Sequence, residues 1–249
     1  MILLIDLGNT RLKWSVLEKN KLTTKGELVH VGQELSDVLG GYDEFPNMLE
    51  RVVISSVAGS QATKVILEFF KSFYALKPEF VTVADEAFGV KNSYVTPDRL
   101  GVDRWVAMIG AFAEFGGSVC IVDAGTAITV DSLDESGRHL GGVIAPGYRL
   151  MLGSLASGTS DLDPNAAPPE ALAGDIFATD TRPAIQRGAA YAMAALVDRA
   201  VTEAEKSFSS GAHLILTGGD AEMIQPLLEH DSKLVADLIL RGLAAFARN

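Results

Sequence analysis

The chain has 249 residues, a formal net charge of −11, 48% hydrophobic residues and one cysteine, Cys120. That length fits one large domain or two small ones and supplies enough apolar residues for a sizeable core. The acidic balance argues against a nucleic-acid binder, the single cysteine against a disulfide framework or a Cys-type metal cluster, and the absence of a long apolar run against a membrane partner.

In chain order, apolar alternation predicts strands at 1–6, 11–18 and 21–29, joined by short polar turns. The run Met1-Ile2-Leu3-Leu4-Ile5 is too short for a signal-peptide core. A reducing, cytoplasmic compartment is the expectation for a chain with one cysteine in an apolar strand. A short helix follows at 33–39, a β-branched strand at 51–56, and a helix at 61–73 with Val65, Ile66, Phe69 and Phe70 at helical spacing. Next come a strand at 79–83, a loop at 92–97 and a helix at 99–115. The second half begins the same way, with strands at 118–123, 127–133 and 139–145. Helices are predicted at 148–155, 183–206, 222–229 and 237–248, with a strand at 213–217. The stretch 156–179 is rich in Gly, Ala, Pro, Ser and Asp and reads as a mobile loop. Ala189, Ala190, Met193, Ala194 and Leu196 on the long helix form a candidate dimer face.

One short acidic-glycine turn occurs twice, 117 residues apart. Ile5-Asp6-Leu7-Gly8-Asn9-Thr10 is the first copy and Val122-Asp123-Ala124-Gly125-Thr126-Ala127 the second. Each ends an apolar strand and begins a returning one. Glycine lets a phosphate approach the backbone and allows positive φ, Asn, Thr and successive N–H groups supply donors, and an Asp at a strand end can hold hydrated Mg2+. An ordinary β-turn would use the same residues, but repetition in matching contexts is architectural information. Two βββαβα halves, 1–115 and 116–249, suggest an α/β, duplicated ribonuclease-H-like architecture of the actin-like ATPase kind around a central nucleotide cleft. No P-loop or dinucleotide fingerprint is present.

Gly101-Val102-Asp103-Arg104-Trp105 stands where a loop meets an apolar helix. A carboxylate there can orient or deprotonate an alcohol in phosphoryl transfer, or simply favour a helix N-terminus. Lys13 shares a strand face with Arg11 and Ser15, and its ammonium could reach a phosphate as a point charge. Thr181 before Pro183 reads as a helix cap, and Asp220 after Gly218-Gly219 as a cap or a border for adenosine. Asp131 and Asp134 read as solvated or turn residues. The histidines show no ligand spacing.

Together, Asp6-Leu7-Gly8-Asn9-Thr10-Arg11-Leu12-Lys13, Gly101-Val102-Asp103-Arg104-Trp105, Asp123-Ala124-Gly125-Thr126-Ala127 and Gly142-Val143-Ile144-Ala145-Pro146-Gly147 resemble type III pantothenate kinase. The resemblance runs from Asp6 to Gly219, and the Gly-x-Asp-Arg-Trp block is its discriminating element. It implies ATP-dependent phosphorylation of the primary hydroxyl of pantothenate, the first step toward coenzyme A. It also implies a homodimer that needs Mg2+ and a monovalent cation, K+ or ammonium. By position, Asp103 would be the proton acceptor. Asp6, Leu7, Gly8, Asn9, Thr10, Arg11, Leu12, Lys13 and Thr126 would bind ATP, with Asp6 also holding Mg2+ through water. Tyr94, Gly101, Val102, Asp103, Arg104 and Thr181 would bind pantothenate, Thr181 from the partner subunit. Asp123 would ligate the monovalent cation. Around Thr181 this chain departs from the family's Asn-Thr pair, since Asp180 precedes it. The rival readings are a related kinase acting on a sugar or small acid, and a non-catalytic nucleotide-binding regulator.

Overall fold

The computed structural model describes residues 1–30, 32–156, 176–209 and 211–248. Most of the stretch expected as a loop, 157–175, lies outside them. The chain divides into two compact units, Met1–Glu114 with Asp237–Asn249, and Phe115–Ala236. The expected second half, 116–249, therefore loses its last segment to the first unit. The reason is packing: the C-terminal helix finds its apolar partner on the N-terminal sheet.

In the first unit, β1 (Ile2–Leu7) pairs antiparallel with β2 (Arg11–Glu18), which pairs with β3 (Lys21–Val29); β4 (Arg51–Ser56) and β5 (Glu79–Phe80) lie parallel on its other side. The strand order is β3-β2-β1-β4-β5. Leu3, Ile5, Leu7, Leu12, Trp14, Val52 and Ile54 share one face and pack under α1 (Leu35–Gly40) and α2 (Ser60–Tyr74). Alternation sends Asp6, Lys13 and Ser55 to the opposite face. Further along that face, α7 (Leu238–Ala247) packs against β1, β2 and β4, and Arg51 Nη1 donates to Ala247 O at 2.9 Å. A small hairpin, β6 (Glu86–Ala87) and β7 (Val90–Lys91), escaped the sequence reading because its strands are too short for alternation to register. The helix α3 (Val102–Phe115) starts later than predicted. Pro97–Arg99 forms a separate 3-10 turn, and Leu100 is extended.

The second unit repeats the plan. Its strands are β8 (Val119–Ala124), β9 (Ala127–Leu133), β10 (His139–Pro146), β11 (His213–Thr217) and β12 (Ser232–Leu234), in the order β10-β9-β8-β11-β12. Each sheet thus runs third-second-first-fourth-fifth, with the same parallel and antiparallel neighbours. That is the duplicated ribonuclease-H-like fold. The short β12 was not predicted, and the helix expected at 222–229 is only α6 (Ala221–Ile224) followed by a 3-10 turn; Pro226 in the second turn breaks it. Cys120, Val122, Ile128, Val130 and Leu216 pack under α4 (Tyr148–Ala156) and α5 (Thr181–Glu205).

Three expectations need correcting. Ala189, Ala190 and Met193 belong to this core and Ala194 is also buried, so that face of α5 is not an open dimer surface. Asp131 is neither solvated nor in a turn; it is buried and lies 2.9 Å from His139 Nε2, a contact between strands that sequence spacing cannot show. Asp180, not Thr181, caps α5, accepting from Arg182 N at 3.1 Å. Asp134 is the turn residue expected, its Oδ1 accepting from the Ser136 and Arg138 amides. Cys120 is buried, and burial pushes its thiol up to about 11.

Helices α3 and α7 cross at backbone contact. A Cβ on Gly242 would stand 2.0 Å from Val106 O, and one on Gly110 would stand 2.7 Å from Leu238 O. Only hydrogen fits at either point. Gly242→Ala should gain about 1 kcal/mol of helix propensity but lose more to overpacking, which costs about 1–3 kcal/mol or above. A net destabilisation of about 2 kcal/mol is expected in urea unfolding. A midpoint equal to or above that of the unsubstituted chain would show that the two helices do not meet there.

Candidate active site

The first acidic turn is built by the β1–β2 hairpin. Gly8 N donates to Arg11 O at 3.0 Å and closes it. Gly8 does not adopt positive φ; space is what its lack of a side chain provides, since a Cβ would sit 3.2 Å from Arg11 O. The Gly8 amide is engaged inside the turn, and the further donors near the tip are carried by Asn9, Thr10 and Lys13. Leu7 and Leu12 point into the core with 0% exposure and can offer only backbone atoms. Arg11 Nη1 donates to Glu27 at 3.2 and 3.3 Å. Glu27 is also the register partner of Lys13, yet it binds Arg11. The Lys13 ammonium consequently lies outside every ion pair among the described residues. Across the sheet, Lys13 and Ser55 are the register partners of Asp6 on its two sides.

His30 joins this turn, which its position in the sequence did not suggest. It is 8% exposed, its backbone N donates to Thr10 O at 3.1 Å, and its Nε2 is 2.9 Å from Gly8 O. A carbonyl oxygen only accepts, so Nε2 carries the proton and donates. The histidine ties both ends of the turn's tip. A search for ligand spacing misses such a role because it is served by a single residue.

The second cluster gathers Tyr94, Gly101, Asp103 and Arg104. Asp103 opens α3, and its Oδ1 accepts from Arg104 N at 2.8 Å. A Cβ on Gly101 would meet Asp103 Oδ1 at 2.6 Å, so glycine leaves that carboxylate its room. Trp105 N donates to Gly101 O at 3.0 Å and starts the helix. The Arg104 guanidinium is buried, its Nη1 donates to Tyr94 Oη at 3.0 Å and its Cζ lies 5.8 Å from the Tyr94 ring centre. Tyr94 and Arg104 are ten residues apart, and the structure brings them together.

The third cluster is the β8–β9 turn. Gly125 N donates to Ala127 O at 3.0 Å, one residue tighter than the first hairpin. Two glycines from elsewhere press on it. A Cβ on Gly147 would stand 2.2 Å from Gly125 O, and one on Gly218 would stand 2.4 Å from Ala124 O and 2.5 Å from Asp123 Oδ1. Gly218 also has φ +96°, which a side chain would strain. Gly147 N donates to Thr126 O at 3.0 Å and Asp220 N to Ala124 O at 2.8 Å. Asp220 makes no side-chain cap bond; its backbone instead braces the turn. Tyr148 is buried beside this cluster, and burial followed by the Asp220 charge raises its phenol above the ordinary value. Thr126 is exposed at the tip. Thr181 is exposed at the start of α5, on a groove of about 640 Å³ shared with Met151, Ser154, Leu155 and Ile185.

Residues 2–203 match the family model of type III pantothenate kinase. The chain belongs to the type III pantothenate kinase family. A type III pantothenate kinase of Nitrosococcus oceani is 34% identical over 255 residues, covering 100% of this chain and 94% of the relative. One from Aromatoleum aromaticum is 37% identical over 250 residues, covering 100% and 98%. Among solved structures, a protein from Campylobacter jejuni described as a Baf family transcriptional activator has a TM-score of 0.59 at 23% identity, covering 99% of this chain and 97% of its own. A protein from Sinorhizobium meliloti described as a 2-dehydro-3-deoxygalactonokinase has a TM-score of 0.60 at 14% identity, covering 100% and 98%. At these identities the structural likeness is one of fold. As a type III pantothenate kinase family member, this chain is a kinase that uses ATP with a divalent metal.

The His30 contact yields a test. His30→Ala removes one hydrogen bond from the first turn, worth about 1 kcal/mol. The KM for ATP should rise about fivefold while the melting curve stays cooperative. An unchanged KM would separate His30 from nucleotide binding.

Proposed function

We infer that this chain transfers the terminal phosphoryl group of ATP to the primary hydroxyl of pantothenate, giving 4'-phosphopantothenate in coenzyme A synthesis. One observation carries the reading beyond family membership: the Tyr94–Arg104–Asp103 cluster places an acid and a buried guanidinium on the first turn of one helix. That pairing suits an acceptor with both a hydroxyl and polar groups.

The residues divide the work by chemistry. At the first turn, Asp6 would hold hydrated Mg2+, and Asn9, Thr10 and Lys13 would bind the phosphate oxygens. Gly8 keeps this turn tight, since a Cβ there would press on Arg11 O. Thr126 would contact ATP at the second turn. Bound Mg2+ neutralises charge that builds on the transferred group. Lys13 would add a positive charge that lies outside any ion pair among the described residues. Tyr94, Gly101, Val102 and Arg104 would seat pantothenate, with Arg104 donating to its polar groups. Asp103 would orient the hydroxyl and accept its proton at a carboxylate oxygen as the phosphoryl group departs. The transition state is loose, so proton removal comes late and Asp103 needs no raised pKa.

Three finer assignments accompany this reading. Asp123 would ligate a monovalent cation, K+ or ammonium; its Oδ1 lies beside Gly218 and Gly125, neither of which adds a side chain there. The chain would act as a homodimer, with Thr181 reaching the partner's substrate. The apolar groove beside Thr181, together with the half-exposed Leu150 and Leu155, supports that reading, and light scattering tests it. A cytoplasmic location fits a coenzyme A pathway enzyme.

A coupled assay with ATP, Mg2+, K+ and pantothenate should show turnover that vanishes without pantothenate. Turnover on a sugar acid in its place would select the rival kinase reading. In the same assay, Asp103→Asn should lower kcat by about 10²–10⁴-fold, the range for a lost general base, with an unchanged melting temperature. Near-normal kcat would remove Asp103 from the chemistry. Asp123→Ala should flatten the rise of activity with K+, and a titration superimposable on that of the unsubstituted enzyme would refute the cation assignment.

A further inference from the structure

Ser55 is an unexplained residue in the first unit. It lies near the end of β4, in parallel register with Asp6. Its exposure is 0%, and its Oγ has no hydrogen-bond partner among the described residues. Leaving a hydroxyl buried and unpaired is unfavourable, and such atoms call for a cause. Its neighbour shows that the local backbone does not impose this: Ser56 Oγ donates to Ala58 O at 3.4 Å.

The setting supplies the cause. Register partners on adjacent strands present side chains to one face. Lys13, Asp6 and Ser55 therefore form a row across β2, β1 and β4, opposite the apolar core. β1 and β4 are parallel, and the row lies at their carboxyl ends, where α/β sheets bind ligands. The second unit repeats the placement. Asp123 is in register with Thr129 on β9 and with Thr217 on β11. Thr217 is buried as well. In both copies the parallel neighbour of the acid carries a buried hydroxyl residue.

We propose that Ser55 is a positioning residue for the divalent-metal function of Asp6. Its hydroxyl donates to the Asp6 carboxylate when that carboxylate holds the hydrated cation accompanying ATP. Carboxylates that bind metals are themselves oriented by outer hydrogen bonds. Burial keeps bulk water from competing for the Ser55 proton, and Lys13 on the other side of Asp6 supplies charge but not this bond. The inference rests on the reading of Asp6 as the metal-holding residue of an ATP-dependent kinase.

The test compares the full-length enzyme with Ser55→Ala and Ser55→Thr. Mn2+ binding to the enzyme in the presence of a non-hydrolysable ATP analogue is followed by the enhancement of water-proton relaxation, read against the same Mn2+ and analogue without enzyme because the analogue alone also chelates the ion. Ser55→Ala should bind Mn2+ about tenfold more weakly, the lower range for losing an outer-shell partner. Its melting temperature without ligand should equal or exceed that of the unsubstituted enzyme, because the alanine removes an unpaired buried hydroxyl. The Mg2+ concentration for half-maximal activity should rise in parallel, with kcat at saturating Mg2+ within about twofold. Ser55→Thr, which restores the hydroxyl, should recover the affinity. Should the threonine variant melt early, Ser55→Ala decides alone. Unaltered Mn2+ affinity in Ser55→Ala overturns the proposal, whether or not stability falls. If the unsubstituted enzyme itself binds no Mn2+ with the analogue, the kinase reading of the first turn fails and this inference falls with it.

Discussion

The register of β1 against its two neighbours is the constraint on which the first turn depends. β1 alternates so that Leu3, Ile5 and Leu7 enter the core and Asp6 emerges on the opposite face. Pairing on both sides fixes that choice, because a slip of one residue would send the acid among Trp14 and Ile54 and expose the leucines. The cost of burying an unpaired carboxylate makes the slipped register inaccessible. The sheet thus sets the place of one side chain by penalising every alternative.

The duplicated hairpins share this device and then diverge. Lys13 is the antiparallel neighbour of Asp6, whereas Thr129 is that of Asp123. The first acid therefore sits beside a cation and the second beside a hydroxyl. The second hairpin is also tighter by a residue and is clamped by Gly147 and Gly218, which meet its backbone so closely that no side chain would fit. The first turn keeps a lysine beside its acid, while the second is held by close glycine contacts on its backbone. That difference suits the separate tasks proposed for them, phosphate with a divalent ion at one and a monovalent ion at the other.

Unpaired polar atoms follow the same map. Among the described residues, buried side-chain atoms without a partner are Ser55 Oγ, Trp105 Nε1 and Tyr148 Oη. Ser55 flanks Asp6, Trp105 follows Asp103 and Arg104, and Tyr148 follows Gly147 at the second turn. Each of the three clusters has one. Unmet hydrogen-bonding capacity costs stability, and here it falls beside the three candidate clusters.

The sequence by itself determined the fold class and most strands, because apolar alternation and Gly-Asp turns are local signals. The strands at 11–18, 21–29, 51–56, 127–133 and 213–217 were legible to the residue. It also singled out Asp6, Asp103, Arg104 and Asp123 as candidates, since motif spacing lies within short stretches. Only the tertiary structure decided that α7 serves the first unit, that Asp131 meets His139, that His30 ties down Gly8, and that Ser55 stands beside Asp6. All of these join residues distant along the chain or on different strands. They are settled by which faces must leave water and which backbones can approach, quantities that exist only once the sheets have formed.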